Sequence, residues 1–174
     1  MKAIVLVDKA RKVTLRNLTV NGEDAAGTLG DCPRQGLFGL FYRGASGTVE
    51  KARVTNILKP GAGTGCQQNH LAIFVQSGKE GGLSAPGPYL KASAIIKSST
   101  VDSYAKNGIT CNEAGTYCLI EGNRVTGLGN TGQIGQNGIQ RASGHTAPWW
   151  ATPSPTTITP RTRPSPVASS SSGR

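Results

Sequence analysis

Two short segments of the chain each carry an aromatic residue followed two positions later by a hydrogen-bonding side chain. The segments are LFYR, with Phe41 and Arg43, and IFVQ, with Phe74 and Gln76. A phenyl ring can stack on a sugar ring, and a guanidinium can bind a carboxylate through two parallel hydrogen bonds. If the residues between them point inward, these four side chains point outward together and predict a surface that contacts sugars.

The same rings also have a purely structural interpretation. Residues 77–92 are rich in glycine and proline and contain Leu83 and Tyr89 as candidate packing residues. A loop of this kind can fold over Phe41 and Phe74 as a lid, and a covered ring cannot contact a sugar. Composition favours the lid, but the sequence leaves both interpretations open.

The acidic residues and histidines do not form a recognisable catalytic or metal-binding set. Cleavage of a uronic acid polymer by elimination needs a base beside the C5 proton and a cation, such as calcium, that neutralises the carboxylate. Asp102 has no acidic neighbour at its repeat position, and Asp31 and Glu113 have no evident acidic partner. His70 and His145 lack metal-type partners at usable spacing, and His70 fits a loop or a strand entry. The catalytic residues therefore stay unknown, and we predict no metal ligand, with calcium as a minor alternative.

The elements that must position these residues recur along the chain. Four segments align with an aliphatic residue at their first and sixth places: LRNLTVNG (15–22), VEKARVTN (49–56), IKSSTVDS (96–103) and IEGNRVTG (120–127). A second element recurs between them and places Leu40, Ile73, Ile109 and Ile139 in one row. Asn-Gly introduces it at 107–108 and at 137–138, which predicts a left-handed residue before a short strand. A repeat of about two dozen residues with variable loops predicts stacked coils of short strands.

If the coils stack, equivalent residues lie about 4.8 Å apart and each repeat position becomes a row. The sixth-place row consists of Val20, Val54, Val101 and Val125, and the first-place row of Leu15, Val49, Ile96 and Ile120. The row after the first place alternates in charge: Arg16, Glu50, Lys97 and Glu121. We expect the aliphatic rows to face a common interior. The charged row is expected to pair on an outer face, where each pair contributes about 0.2–1 kcal/mol.

The strings VTLRNLTVNG, GLFGLFYRGASGTVE, NRVTG and QNGIQ resemble the repeats of the right-handed parallel β-helix proteins of the pectate-lyase-like superfamily. The resemblance implies an all-β chain, with a right-handed parallel β-helix (a solenoid) of about four to five coils over residues 1–143. It also implies a carbohydrate polymer as partner and an extracellular or cell-surface location. The superfamily includes lyases, hydrolases, epimerases, adhesins and members with no known reaction, so the resemblance leaves the activity open.

Four cysteines are present, without the Cys-x-x-Cys or Cys/His spacing that is typical of zinc sites. Cys32 lies eight residues before Leu40 and Cys66 seven residues before Ile73, so they occupy equivalent corners of consecutive coils. Stacked corners bring Cα atoms within the roughly 4.4–6.8 Å that a disulfide requires, which predicts a Cys32–Cys66 bridge and an oxidising compartment. Cys111 is expected to be an interior thiol, and its pairing with Cys118 stays open.

The chain is strongly basic, with 19 Lys and Arg against 9 Asp and Glu and a net charge of +10. A basic surface favours polyanions, including acidic polysaccharide. Arg53 and Arg124 fit a solvated basic face better than a catalytic pair. No recognition helix, RNP-like strand or zinc-finger spacing is present, so we predict no specific nucleic-acid partner.

Residues 144–174 are rich in Pro, Ser and Thr and are predicted to form a disordered tail. Arg141 falls in the row of Tyr42, Val75 and Cys111, so the inward pattern fails where the tail begins. We hypothesise that the chain is a fragment, truncated or frameshifted near residue 141. No segment reaches the roughly 18 apolar residues of a membrane helix, and the opening MKAIVLV is too short for a signal peptide. Uncapped coil ends are expected to self-associate.

Three functional hypotheses follow from the sequence. The favoured one is a secreted-type β-helix module that engages polysaccharide and is catalytically incomplete as written. The first alternative is a fragment of a polysaccharide lyase or glycoside hydrolase whose catalytic residues lie in missing coils. The second alternative is a structural surface protein, resembling an adhesin, in which the repetition itself is the function.

Overall fold

The computed structural model describes residues 2–27, 36–59, 67–79, 87–129 and 134–141, together with the backbone of 157–160. In chain order the elements are β1 (Lys2–Asp8), β2 (Val13–Arg16), β3 (Thr19–Asn21), α1 (Glu23–Gly27), β4 (Leu37–Arg43), β5 (Ser46–Glu50), β6 (Arg53–Thr55), β7 (His70–Gln76), β8 (Ala92–Lys97), β9 (Thr100–Asp102), β10 (Asn107–Asn112), β11 (Thr116–Glu121), β12 (Arg124–Gly127), β13 (Asn137–Arg141) and β14 (Thr157–Pro160). Because α1 has only five residues, the predicted all-β class is confirmed.

The strands form three parallel sheets. The first sheet has the order β1-β4-β7-β10-β13, the second β11-β8-β5-β2 and the third β14-β12-β9-β6-β3. The chain visits the first, second and third sheets in turn four times, and β13 begins a fifth pass. This order is compatible with a parallel β-helix, in which each pass through the three sheets is one coil.

The strand register confirms the rows that the repeats predicted. In the third sheet Val20 pairs with Val54, Val54 with Val101, and Val101 with Val125. The same register unites the first-place aliphatic residues in the second sheet and the Leu40 row in the first sheet. The valine row is at most 3% exposed and belongs to one continuous core. Burying each such side chain contributes about 1.5–3 kcal/mol, so these rows are a main source of stability.

Small residues in the first sheet allow the third sheet to approach closely. A Cβ atom added at Gly39 would lie 2.6 Å from Cγ1 of Val54, and one added at Gly108 would lie 2.6 Å from Cγ1 of Val125. The expectation of a left-handed residue in the Asn107-Gly108 step is wrong, because both residues lie within β10 and neither has a positive φ. Gly108 leaves room for the Val125 side chain of the third sheet, and it does not form a turn.

The corner between the second and third sheets has the same geometry in every described coil. Its first residue has a positive φ, between 50° and 56°, at Asn17, Lys51, Ser98 and Gly122. The residue that follows it is buried in the second, third and fourth coils, at Ala52, Ser99 and Asn123. The side chain of Asn123 accepts a hydrogen bond from the Ser99 amide at 2.9 Å. Asn123 also donates to the Ile96 carbonyl at 2.7 Å, and Ser99 accepts from the Ala52 amide at 3.2 Å. These hydrogen bonds hold the corner residues that precede β6, β9 and β12.

Cys111 and Cys118 form a disulfide that joins β10 to β11, with their Cα atoms 6.4 Å apart. The expectation that Cys111 is an interior thiol is therefore wrong in its chemistry, although the side chain is fully buried as expected. The two half-cystines meet because the short turn between β10 and β11 folds the chain from the first sheet to the second. Cys32 and Cys66, predicted to pair with each other, lie outside the described residues.

The predicted tail contains a strand. Of residues 144–174 the structure describes only Thr157–Pro160, which form β14 and pair in parallel with β12. These four residues are extended, and disorder of the rest of the tail stays a prediction. Arg141 pairs with Cys111, as its row predicted, and is exposed. The boundary at residue 143 and the hypothesis of a fragment stay predictions.

The first coil lies at one edge of all three sheets, since β1, β2 and β3 are terminal strands in the sheet order. Two large apolar side chains of β1 are exposed: Ile4 by 36% and Leu6 by 48%. An open strand edge with apolar side chains is a surface on which further strands can pair. The predicted self-association through coil ends agrees with this geometry and stays a prediction.

Candidate functional site

The four predicted sugar-contact residues lie on the outer face of the first sheet. Phe41 pairs with Phe74, and Arg43 with Gln76. The phenyl rings stack with their centroids 4.9 Å apart, and Phe38 lies 5.2 Å from Phe41. Phe41 and Phe74 therefore lie in one row and contact each other, as the repeat predicts.

Burial limits what these rings can contact. Phe41 is only 2% exposed and Phe74 only 5%, and with Phe38 and Leu71 they form a small apolar cluster outside the main core. A sugar could stack on them only after the atoms that cover them had moved aside. Sugar contact by the two rings stays a prediction.

The loop proposed as a lid is described only at its ends. Tyr89 is 42% exposed, and its hydroxyl hydrogen-bonds to Ser77 Oγ at 3.2 Å and to the Ala114 carbonyl at 2.5 Å. These bonds attach Tyr89 to the turns beside the second sheet, and no ring contact with either phenylalanine occurs within the described residues. Leu83 lies outside the described residues.

Beside the aromatic cluster, four planar polar side chains form a row along the outer face of the first sheet. We call it the polar row, and it consists of Asp8, Arg43, Gln76 and Asn112. Arg43 donates two hydrogen bonds to Asp8, from Nε at 2.8 Å and from Nη2 at 2.9 Å. These bonds, with the charge of Arg43 and in spite of burial, hold the pKa of Asp8 below its ordinary value. A uronate carboxylate would have to replace Asp8 to take the same two donors.

Sequence reasoning missed Asp8, although a signal for it exists. Residues 3–8 read AIVLVD and align with GLFGLFYR when Val5 is placed opposite Leu40, the register that the structure has. The alignment puts Asp8 opposite Arg43. An acid and an arginine at the same position of stacked strands predict an ion pair.

A second surface lies on the outer face of the third sheet and along the corner that precedes it. Two depressions of about 280 and 270 Å³ meet at Thr100 and run across the strands β3, β6, β9 and β12. We call them together the third-sheet groove, and its polar lining includes Lys51, Arg53, Thr100, Asp102, Arg124 and Thr126. Sequence reasoning assigned Arg53 and Arg124 to a solvated basic face, and the register places both in one row with Thr100 between them.

Asp102 is the acid of this groove and is held by its neighbours. Arg53 donates to it from Nε at 3.0 Å and from Nη2 at 3.3 Å, and the Thr55 hydroxyl donates at 2.5 Å. Burial raises the pKa of Asp102, but the hydrogen bonds from Arg53 and Thr55 and the charge of Arg53 outweigh it, so the pKa is lowered. The other members of its row are Asn21, Thr55 and Thr126, and none is acidic.

His70 is the first residue of β7, which fits the predicted strand entry. It is fully buried, and neither ring nitrogen has a hydrogen-bond partner among the described residues. Burial, with a smaller contribution from the charge of Lys59, lowers the pKa of His70 to about 4. The imidazole is therefore neutral at pH 7. His145 lies outside the described residues.

Within the described ranges, no three His, Cys, Asp or Glu side chains come together as a metal ion would require. No helix in the described part of the chain is long and apolar enough to cross a membrane.

Comparison of the chain with protein-family models, with curated proteins and with solved structures finds no match.

Proposed function

We propose that this chain is a right-handed parallel β-helix module, of the kind found in the pectate-lyase-like superfamily, that binds polysaccharide without cleaving it. The observation that carries the proposal is the polar row. Four planar side chains stack at the strand spacing of about 4.8 Å, beside an apolar cluster. A periodic line of hydrogen-bonding groups suits a linear polymer of repeating hydroxyl-bearing units.

Gln76 is the member of the row best placed for a ligand. It is half-buried, so its amide group keeps a fixed position while remaining within reach of solvent. Unlike Arg43, which is engaged by Asp8, its side chain makes no hydrogen bond within the described residues. An amide offers both a donor and an acceptor, which fits neighbouring sugar hydroxyls.

The state of the two acids in these surfaces, Asp8 and Asp102, favours binding over catalysis. A general base works best when its pKa lies near the operating pH. Asp8 and Asp102 each accept two hydrogen bonds from an arginine, and the pKa of each is lowered instead of raised. Neither carboxylate is therefore poised to remove a proton from a sugar carbon.

The disulfide supports an extracellular or cell-surface location. Disulfides persist in oxidising compartments and are rare where thiols are kept reduced. The Cys111–Cys118 bridge is buried in the fourth coil, where it joins two strands of the fold. We therefore place the proposed polysaccharide outside the cell.

The test is calorimetric titration with two probes, a hexameric oligogalacturonate and its counterpart with the carboxylates reduced to alcohols. Replacing Gln76→Ala should weaken binding of both probes about two- to tenfold, because one hydrogen bond to the sugar is lost. The control is Thr48→Ala, which removes one polar side chain from the outer face of the second sheet and should leave both affinities unchanged.

Two outcomes would overturn the proposal. Release of unsaturated uronides or of new reducing ends from a polymer would favour the lyase or hydrolase alternative. Absence of binding to any member of a glycan array, with a cooperative unfolding transition retained, would favour the structural alternative.

A further inference from the structure

The third-sheet groove has the charge and shape of a second ligand surface. It is separate from the polar row, which lies on a different sheet. Its two depressions share Thr100, so they form one path along the stacking direction of the coils. The row of Arg53, Thr100 and Arg124 contributes to both depressions, so a ligand in this path would follow that row from strand to strand.

Positive charge in the groove exceeds negative charge. Lys51, Arg53 and Arg124 are all exposed, and Asp102 is the acid that faces them. Arg53 is engaged by Asp102, whereas the side chains of Lys51 and Arg124 have no ion-pair partner in the described part of the chain. The groove therefore presents two unneutralised cations to solvent.

The spacing of the arginines is set by the register. Arg53 pairs with Thr100 and Thr100 with Arg124, so the two arginine Cα atoms lie two strand spacings apart, about 9.6 Å. Threonine and serine hydroxyls occupy the positions around them, at Thr100, Ser103 and Thr126. Guanidinium groups alternate with neutral hydroxyls along the path.

This lining discriminates between polyanions. Binding of single-stranded nucleic acid relies on aromatic side chains on which bases stack. The residues that line the two depressions include no aromatic side chain. Hydroxyls that bond to sugar hydroxyls, with guanidinium groups that bind carboxylates or sulfates, instead fit a linear acidic glycan.

We propose that the third-sheet groove binds a linear acidic polysaccharide, with an anionic group of the ligand on Arg124 and the polymer lying along the stacked strands. The inference rests on the proposed polysaccharide function and adds a second, charge-selective surface to it. Asp102 acts there as an internal competitor, because it occupies the Arg53 donors that a second anionic group of the ligand would take.

The experiment compares Arg124→Gln with Arg16→Gln by titration of the hexameric oligogalacturonate at low and high salt. Arg16 is an exposed cation on the second sheet with no ion-pair partner among the described residues, so the charge change is matched. Arg124→Gln should weaken binding of the acidic probe about three- to tenfold and reduce its salt slope by about one. Neither change should alter binding of the carboxyl-reduced probe.

A second variant tests the role of Asp102. Replacing Asp102→Asn keeps the shape of the side chain and removes its charge, which frees the Arg53 donors. Binding of the acidic probe should become about two- to fivefold tighter at low salt. Unchanged or weaker binding, in a protein whose thermal unfolding is still cooperative, would contradict the competitor role.

The outcomes separate this inference from the proposed function. If Arg124→Gln and Arg16→Gln weaken binding of the acidic probe equally, net charge alone determines the affinity. That result would overturn the proposal that the third-sheet groove is a binding site. Tighter binding of a DNA duplex than of the acidic probe, lost in Arg124→Gln, would assign the groove to nucleic acid. If Gln76→Ala weakens binding of both probes while Arg124→Gln weakens binding of neither, the proposed function is retained. The third-sheet groove is then rejected as a binding site.

Discussion

The buried corner at Asn123 gives the sharpest prediction about stability. Its side chain accepts from the Ser99 amide at 2.9 Å and donates to the Ile96 carbonyl at 2.7 Å, and it is only 2% exposed. Replacing Asn123→Ala leaves the Ser99 amide buried without this partner and removes the side-chain bond to the Ile96 carbonyl. An unsatisfied group costs about 1–3 kcal/mol and a lost hydrogen bond about 0.5–1.5 kcal/mol, so the free energy of unfolding should fall by about 2–4 kcal/mol.

The assay is urea unfolding, followed by circular dichroism, with Asn123→Ser as the matched variant. Ser99 occupies the equivalent corner one coil earlier, where its hydroxyl accepts from the Ala52 amide at 3.2 Å. Serine at position 123 can therefore keep the bond to the Ser99 amide, and should recover about 1 kcal/mol of the loss. A loss under about 0.5 kcal/mol in Asn123→Ala, the usual range for surface changes, would refute the account of the corner.

Three further predictions concern the interior. Gly108→Val should lower the free energy of unfolding by about 1–3 kcal/mol, because a Cβ there would lie 2.6 Å from a buried valine, whereas Gly135→Ala, with open space around it, should change little. Since burial lowers the pKa of His70 from 6.5 to about 4, the unfolded chain takes up the proton first. Stability should therefore fall by up to about 1.4 kcal/mol per pH unit as the pH drops from 6.5 towards 4, and His70→Leu should remove that part of the slope. Reducing the Cys111–Cys118 bridge, which spans seven positions, should lower stability by about 2.5 kcal/mol, measured by thermal unfolding with and without reductant.

Each of these predictions has an opposing result. Equal stability of the two glycine variants would mean that the first and third sheets do not approach closely at Gly108. An unchanged pH slope in His70→Leu would place the titration elsewhere. A reduced protein as stable as the oxidised one would show that the bridge does not restrict the unfolded chain.

The rows could be predicted from sequence because side-chain direction alternates along a strand and repeats at a fixed place in each coil. Val54 and Val101 are 47 residues apart, yet they pair because both occupy the sixth place of an aligned segment. Alternation within each strand and repetition between coils are enough to predict which residues pair. The lengths of the loops between the repeated segments do not change that pairing.

The Arg53–Asp102 ion pair could not be predicted in the same way. Arg53 bonds to Asp102, which lies in the adjacent coil and two rows away, and such diagonal pairs depend on side-chain reach as well as on register. Stacking of equivalent residues does not predict the Cys111–Cys118 bridge, because this bridge forms within one coil, across a turn.

The burial of Phe41 had a signal that was not used. Strand β4 reads LFGLFYR, and its first six residues are all buried. A continuous apolar run indicates a strand covered on both faces, whereas one solvated face gives alternation. The alternating β8, with Ile95 38% exposed, has that second pattern.

Cysteine cross-linking on the second sheet tests the stacking register most directly. Arg16 and Glu50 are Cα partners on adjacent strands, whereas Arg16 and Lys97 are two strands apart. The strand spacing of about 4.8 Å lies within the roughly 4.4–6.8 Å that a disulfide accepts, and twice that spacing does not. Under mild oxidation, Arg16→Cys with Glu50→Cys should form a bridge that peptide mapping detects, and Arg16→Cys with Lys97→Cys should not. Bridging in the second pair and its absence in the first would contradict the register on which both surfaces depend.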